Sequence, residues 1–202
     1  MTSAATNSAR LILASGSPRR KTLLEAAGLH FDIVESGIDE IRHESESAID
    51  FAMRMAAEKA LNVSARRPDA LVLAADTVVE CEGHILCKPA DPAEARAMLQ
   101  ALSGNTHSVV TAFAIASART IAESLAVSSR VTFRRLSSDE IAAYVASGAP
   151  LDKAGAYGIQ DAGAGFIAHL EGSRDNVMGL PVREVLAALR RHGLATPSPA
   201  SP

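Results

Sequence analysis

Asp76 and Thr77 interrupt LVLAADTVV, residues 71–79, an apolar run that resumes with Val78 and Val79. A carboxylate inside a buried strand is costly unless it is paired, hydrogen-bonded or bound to a metal. Asp76 therefore needs a named partner, or it works in a cleft, holding Mg²⁺ or taking a proton from water. Lys59 poses the same question. Projected as a helix, residues 48–64 align Ala52, Met55, Ala56, Ala60 and Val63 in one apolar stripe with Lys59 at its centre. Either its stem snorkels off the edge of a helix–sheet contact, or the stripe borders a cleft and the ammonium meets an anion there. Lys88, before Pro89, closes the hairpin that follows Asp76 and is a second cation near it. Glu40, in GIDE, is a loop carboxylate that either is solvated or shares a metal with Asp76.

A further candidate is LILASGSPRR, residues 11–20, where an apolar strand runs into small residues, a proline and two arginines. Ser17 reads as an N-cap and Pro18 as the first helical residue, so a helix starts there with Ser15-Gly16-Ser17 facing its free N–H groups. Cations are disfavoured at that dipole end, and Arg19 and Arg20 make electrostatic sense if an anion, phosphate above all, occupies the site. The alternative is an ordinary capped helix with solvated arginines; there is no Gly-Lys-Ser/Thr ending as in a P-loop. Residues 151–181 are dense in glycine yet carry Tyr157, Ile159, Phe166 and Ile167, which suits an anchored binding loop. Within it Gln160 offers an amide that both donates and accepts, as reading a base edge requires.

These groups need a scaffold, and the rest of the chain supplies an α/β one. Strand-like runs alternate irregularly with helical segments near 17–28, 48–64, 92–102, 138–147 and 181–192. Two helix starts are well marked: Asp91-Pro92 with Glu94, and Ser137 with Glu140, a capping box. Two long consecutive runs between 107 and 134 join through a polar turn, so part of the sheet is antiparallel and a mixed, twisted sheet is expected. In CEGHILC a turn at Glu82-Gly83 would pair Cys81 with His84 and Val78 with Cys87, which argues against a disulfide or a zinc clip. Residues 1–10 and 196–202 are small, polar or Pro-rich and are expected to be mobile ends around one domain spanning 11–195.

With 202 residues and 48% hydrophobic content the chain can bury a full core. A net charge of −3, 3% aromatic content and no Trp leave no cationic, stacking surface for nucleic acid. No signal-peptide core and no 18-residue apolar span is visible, so the expectation is a cytoplasmic protein with no membrane partner.

Taken in order, SGSPRR, AEKA, ADTVV, CKPAD, LSGNTHSVVTA, DKAGAYGIQ and GLP resemble the Maf-type nucleoside triphosphate pyrophosphatases, over residues 11 to about 185. The resemblance implies two α/β lobes around a deep nucleotide-binding cleft, a divalent metal (Mg²⁺ or Mn²⁺), and hydrolysis of a triphosphate to monophosphate and pyrophosphate that limits incorporation of non-standard nucleotides. A homodimer is one assembly it allows. Carried over by position, Asp76 is general base or metal ligand and Glu40 a metal-linked carboxylate. Lys59 and Lys88 clamp phosphates with Ser15 and Arg20 beside them, and Arg19, Thr77 and Gln160 set base preference. Arg, Thr and Gln at those places resemble the dTTP/UTP branch; Trp, Gln and Glu would resemble the 7-methyl-GTP branch. Ala74, Asp161 and Arg174-Asp175 depart from the family pattern. Two other readings remain at this stage: a non-catalytic nucleotide sensor in cell-division control, and an enzyme releasing single phosphates.

Overall fold

The computed structural model describes residues 10–196. The expected mobile ends lie outside the described residues except for one residue of each: Arg10 opens the first strand, opposite Ala70, and the Thr196 hydroxyl accepts a hydrogen bond from Arg190. The strands are β1 (Arg10–Leu13), β2 (Asp32–Ile33), β3 (Ala70–Cys81), β4 (His84–Leu86), β5 (Thr106–Ser117), β6 (Thr120–Phe133) and β7 (Ile167–Glu171). The helices are α1 (Pro18–Ala26), α2 (Ala48–Arg66), α3 (Pro92–Leu102), α4 (Ser138–Ala146), α5 (Arg174–Met178) and α6 (Val182–Arg191).

One mixed sheet runs through the molecule in the order β2-β1-β3-β5-β6-β7, with β4 also on β3. The β1 strand is parallel to β2 and β3, and every other pairing is antiparallel. Both hairpin turns carry positive φ at their two central residues, Glu82-Gly83 and Ala118-Arg119, as tight turns matching strand twist require. Cys81 faces His84 in the expected register. Helix α3 starts on Asp91, whose carboxylate accepts from the Ala93 and Glu94 amides, and α4 on the reciprocal Ser137–Glu140 capping box. Among the described residues no helix is long and apolar enough to cross a membrane.

The long strand β3 organises everything around it. One of its edges is covered by β5 from Val72 to Glu80. The other edge is shared: β1 covers it up to Leu73, and β4 takes it up again at Val79. Residues 74–78 thus face a gap in the sheet. Side-chain alternation then sorts them. Val72, Ala74 and Val78 pack with α2, whereas Leu71, Leu73 and Ala75 join the core under α1 and α6. Val79 and Cys81 join a third cluster with α3 and α4. Two lobes result, and the gap lies between them.

In the third cluster His107 is 2% exposed, stacks edge-on against Phe133 and Tyr157, and shares a hydrogen bond with the Tyr157 hydroxyl at 2.8 Å. Burial lowers its pKa to about 4. The unfolded chain therefore binds more protons between about pH 6.5 and 4, and stability falls as pH drops through that window. We expect wild type to lose on the order of 3 kcal/mol across it. His107→Gln, which keeps a neutral partner for Tyr157, should flatten the curve. Urea denaturation at stepped pH checks this, and parallel curves for the two proteins would contradict it.

Candidate active site

The gap opens into a cleft of about 440 Å³ whose lining includes all nine residues singled out by sequence: Ser15, Arg19, Arg20, Glu40, Lys59, Asp76, Thr77, Lys88 and Gln160. The centre is a compact ion cluster. From α2, Lys59 does not snorkel to an edge. It is 6% exposed, and its Nζ donates to Asp76 Oδ1 and to Glu40 Oε1, each at 2.6 Å. The Lys88 Nζ lies 3.3 Å from Glu40 Oε2 on the solvent side. Asp76 is 4% exposed, and burial raises its pKa against the pull of Lys59, with Glu40 adding to the rise. Burial acts upward on Glu40 too, but there Lys59 and then Lys88 outweigh it and the net shift is downward. The two carboxylates thus differ: Asp76 is the more basic, Glu40 the more firmly ionised.

Thr77 points to the opposite face of β3. Its hydroxyl meets Thr111 Oγ1 at 3.0 Å and accepts from the Arg20 guanidinium at 3.1 Å. Arg20 also donates to Ser15 Oγ at 3.1 Å and to the Gly179 carbonyl at 2.8 Å. Three of its donors are thus held by protein acceptors, and it ties the SGSPRR turn, β3 and the GLP turn into one wall. Thr111 passes its own proton to the main-chain oxygen of buried Asn176 at 2.8 Å, so the wall is braced from behind.

The turn before α1 has the expected shape with one difference. Ser17 is the N-cap residue with extended backbone, but its side chain makes no capping bond; its amide donates instead to Ser15 Oγ at 3.2 Å. A Cβ on Gly16 would stand 2.6 Å from Glu35 Oε1, so a larger residue there would displace that exposed carboxylate. Arg19 reaches across the cleft and donates to Asp152 Oδ2 at 2.6 Å and to the Asp152 carbonyl at 3.1 Å. Gln160, exposed in the lining, forms no side-chain hydrogen bond among the described residues.

The stretch expected as a glycine-rich loop is short 3₁₀ turns at Ala149–Asp152, Ala154–Ala156 and Ala162–Phe166, then β7 and α5. Tyr157, Ile159 and Phe166 are buried in it, as anchors should be. Sequence reasoning passed over Lys153 and Asp152, which line the cleft beside Gln160. A charged pair inside a run of Ala and Gly was the available signal.

A family model described as Maf-like protein matches residues 10–192. The dTTP/UTP pyrophosphatase of Myxococcus xanthus is 50% identical over 191 residues, 95% of this chain and 96% of the relative. That of Geobacter metallireducens is 46% identical over 185 residues, 91% of this chain and 96% of the relative. Among solved structures, a HAM1 protein from Coxiella burnetii aligns with a TM-score of 0.47 at 15% identity, covering 91% of this chain and 99% of that one.

The ion cluster makes a clear demand on stability. Removing one partner of a buried pair strands the other, so Lys59→Met should cost roughly 3 kcal/mol at neutral pH even though Met suits the apolar stripe. Asp76 without Lys59 is a carboxyl whose folded pKa lies above its unfolded value. Its penalty is therefore largest at neutral pH and shrinks as pH falls toward about 3.9. Adding Asp76→Asn should recover most of the loss. Denaturant midpoints of the two variants at pH 8 and pH 5 check this; a pH-independent loss with no recovery would contradict it.

Proposed function

This chain belongs to the Maf-like family, and from that premise we propose that it is a nucleoside triphosphate pyrophosphatase acting on dTTP and UTP. The observation that carries the reading is the Lys59–Asp76–Glu40 cluster in the gap of the sheet, with Lys88 and the start of α1 on the same cleft. Binding alone does not need a buried carboxylate beside phosphate, whereas hydrolysis can use one as a base.

The chemistry follows from the charges. A triphosphate entering the cleft competes with Glu40 and Asp76 for the ammonium groups of Lys59 and Lys88, and the free amides at the start of α1 favour a phosphate oxygen. Asp76, released from Lys59 and made basic by burial, accepts a proton from water. The water oxygen bonds to the α-phosphorus, the bridge to the β-phosphate breaks, and the electron pair leaves on pyrophosphate, whose charge the lysines offset. Positioning and electrostatic stabilisation carry most of such a barrier.

A divalent cation fits the donor set. Asp76 and Glu40 both converge on one Nζ, both are hard oxygen ligands, and among the described residues no cluster of three or more His, Cys, Asp or Glu side chains supplies a complete cage. That suits Mg²⁺ or Mn²⁺, which are held by one or two carboxylates with substrate phosphates and water. When bound, the metal would neutralise phosphate charge.

Base preference rests on the far wall. Uracil and thymine offer two carbonyl acceptors around an N–H donor, and the Gln160 amide with the remaining Arg19 donors complements that edge. Cytosine exchanges one acceptor and the central donor, a mismatch worth about 1–3 kcal/mol.

Two outcomes are expected. With Mg²⁺ and a nucleotide panel, dTTP and UTP should exceed CTP and 7-methyl-GTP in kcat/KM, with pyrophosphate as product. Orthophosphate alone, or equal rates for UTP and CTP, would overturn the assignment. Asp76→Asn should fold and lose roughly 10²-fold or more in kcat; unchanged turnover would remove Asp76 from the mechanism.

A further inference from the structure

The two base-reading groups, Arg19 on α1 and Gln160 on the opposite wall, are joined by a line of alternating charge. Arg19 pairs with Asp152 Oδ2 at 2.6 Å, and Asp152 Oδ1 accepts from Lys153 Nζ at 2.7 Å. The same Nζ lies 3.3 Å from Asp161 Oδ2. Asp161 is the residue directly after Gln160. Its other oxygen accepts from the Tyr144 hydroxyl at 2.8 Å and from the Gly163 amide at 2.9 Å. On the near side of Gln160, Tyr144 accepts from the Gly158 amide at 3.1 Å, and Arg174 donates to the Ile159 carbonyl at 3.1 Å.

The arrangement is tightly built. Lys153 is 8% exposed, and its buried charge is met by both carboxylates and by the Ala149 carbonyl. A Cβ on Gly158 would stand 2.5 Å from Asp161 Oδ2 and 2.7 Å from Lys153 Cε, so glycine there makes room for the pair. The backbone on both sides of Gln160 is fixed, while its own amide has no hydrogen-bond partner among the described residues. Such a design presents a reading group in one place without using up its donors.

We infer that Asp161, through Lys153 and Asp152, is a positioning residue that sets Gln160 and Arg19 relative to each other and so sharpens pyrimidine discrimination. The inference deepens the dTTP/UTP reading and rests on it. If Asp161 were lost, Lys153 would keep one carboxylate, the turn after Gln160 would lose its Tyr144 and Gly163 contacts, and both walls would loosen together.

The test is a double-mutant cycle on specificity. Asp161→Gly should lower the UTP:CTP ratio of kcat/KM about tenfold, chiefly through a higher KM for UTP. In a Gln160→Ala background the same change should alter the ratio by less than about twofold, because the group it positions is gone. A merely structural residue would lower both substrates alike and act equally in both backgrounds; that result, or an unchanged ratio, would overturn the inference. Asp161→Asn, which keeps an acceptor for Tyr144, should fall between and serves if the glycine variant folds poorly. Hydrogen exchange on the ligand-free protein separates this inference from the reading beneath it. If wild type does not distinguish UTP from CTP the substrate reading fails, yet exchange at residues 156–164 should still rise roughly tenfold or more in Asp161→Gly. Unchanged exchange there would overturn the positioning role.

Discussion

A lysine held between two carboxylates in a gap of the sheet is the interaction on which the rest of the site depends. Asp76 sits in a strand that is buried along most of its length, and without Lys59 at 2.6 Å its charge would lose the cation in contact with it and keep only the weaker pull of Arg20. The demand fixes more than one side chain. It requires that α2 lie against the even-numbered face of β3, and the cluster opens to the cleft where β1 stops at Leu73 and β4 returns only at Val79. The stability of the fold and the reactivity of the cleft thus share one pair of atoms. A buried ion pair adds little net stability against an apolar substitute, so its presence here is better understood through what it does when an anionic substrate arrives.

Strand alternation gives the cleft two kinds of wall. Asp76 faces α2, with the lysines and Glu40. Thr77, one residue on, faces Arg20, Ser15 and Gly179. A single dipeptide therefore supplies the reactive carboxylate to one face and a brace for the SGSPRR turn to the other, with the open strand edge between them. The opposing wall is different in character: glycines, short 3₁₀ turns and an ion chain that ends at the neighbour of an unpartnered glutamine. The proposed function assigns the phosphates to the charged side and the base to the hydrogen-bonding side.

Much of this was legible in the sequence, for physical reasons. Helix α3 was readable to the residue because Asp91 and Pro92 mark its start, and the start of α4, though not its end, because Ser137 and Glu140 form a capping box. Asp76 and Lys59 declared themselves as charges inside apolar patterns. The gap in the sheet was not legible, since it depends on where β1 and β4 stop pairing with β3, which is a matter of tertiary contact. Residues 151–181 read as a loop because glycine hides the periodicity; the turns around Gly158 and Asp161 are held by Tyr144 from another element. Lys153 escaped notice because its partners, Asp152 and Asp161, matter only once the chain has folded back on itself. Arg20 read as a phosphate ligand, and the structure shows it already engaged in joining three segments.

The proposed reaction has water attack the α-phosphorus of a bound triphosphate with Asp76 as its base, and hydrolysis of UTP in ¹⁸O-labelled water tests that proposal most directly. Mass analysis of the products should find the label in the nucleoside monophosphate and none in pyrophosphate. Label in pyrophosphate would mean attack at the β-phosphorus, and would contradict the account of how this cleft works.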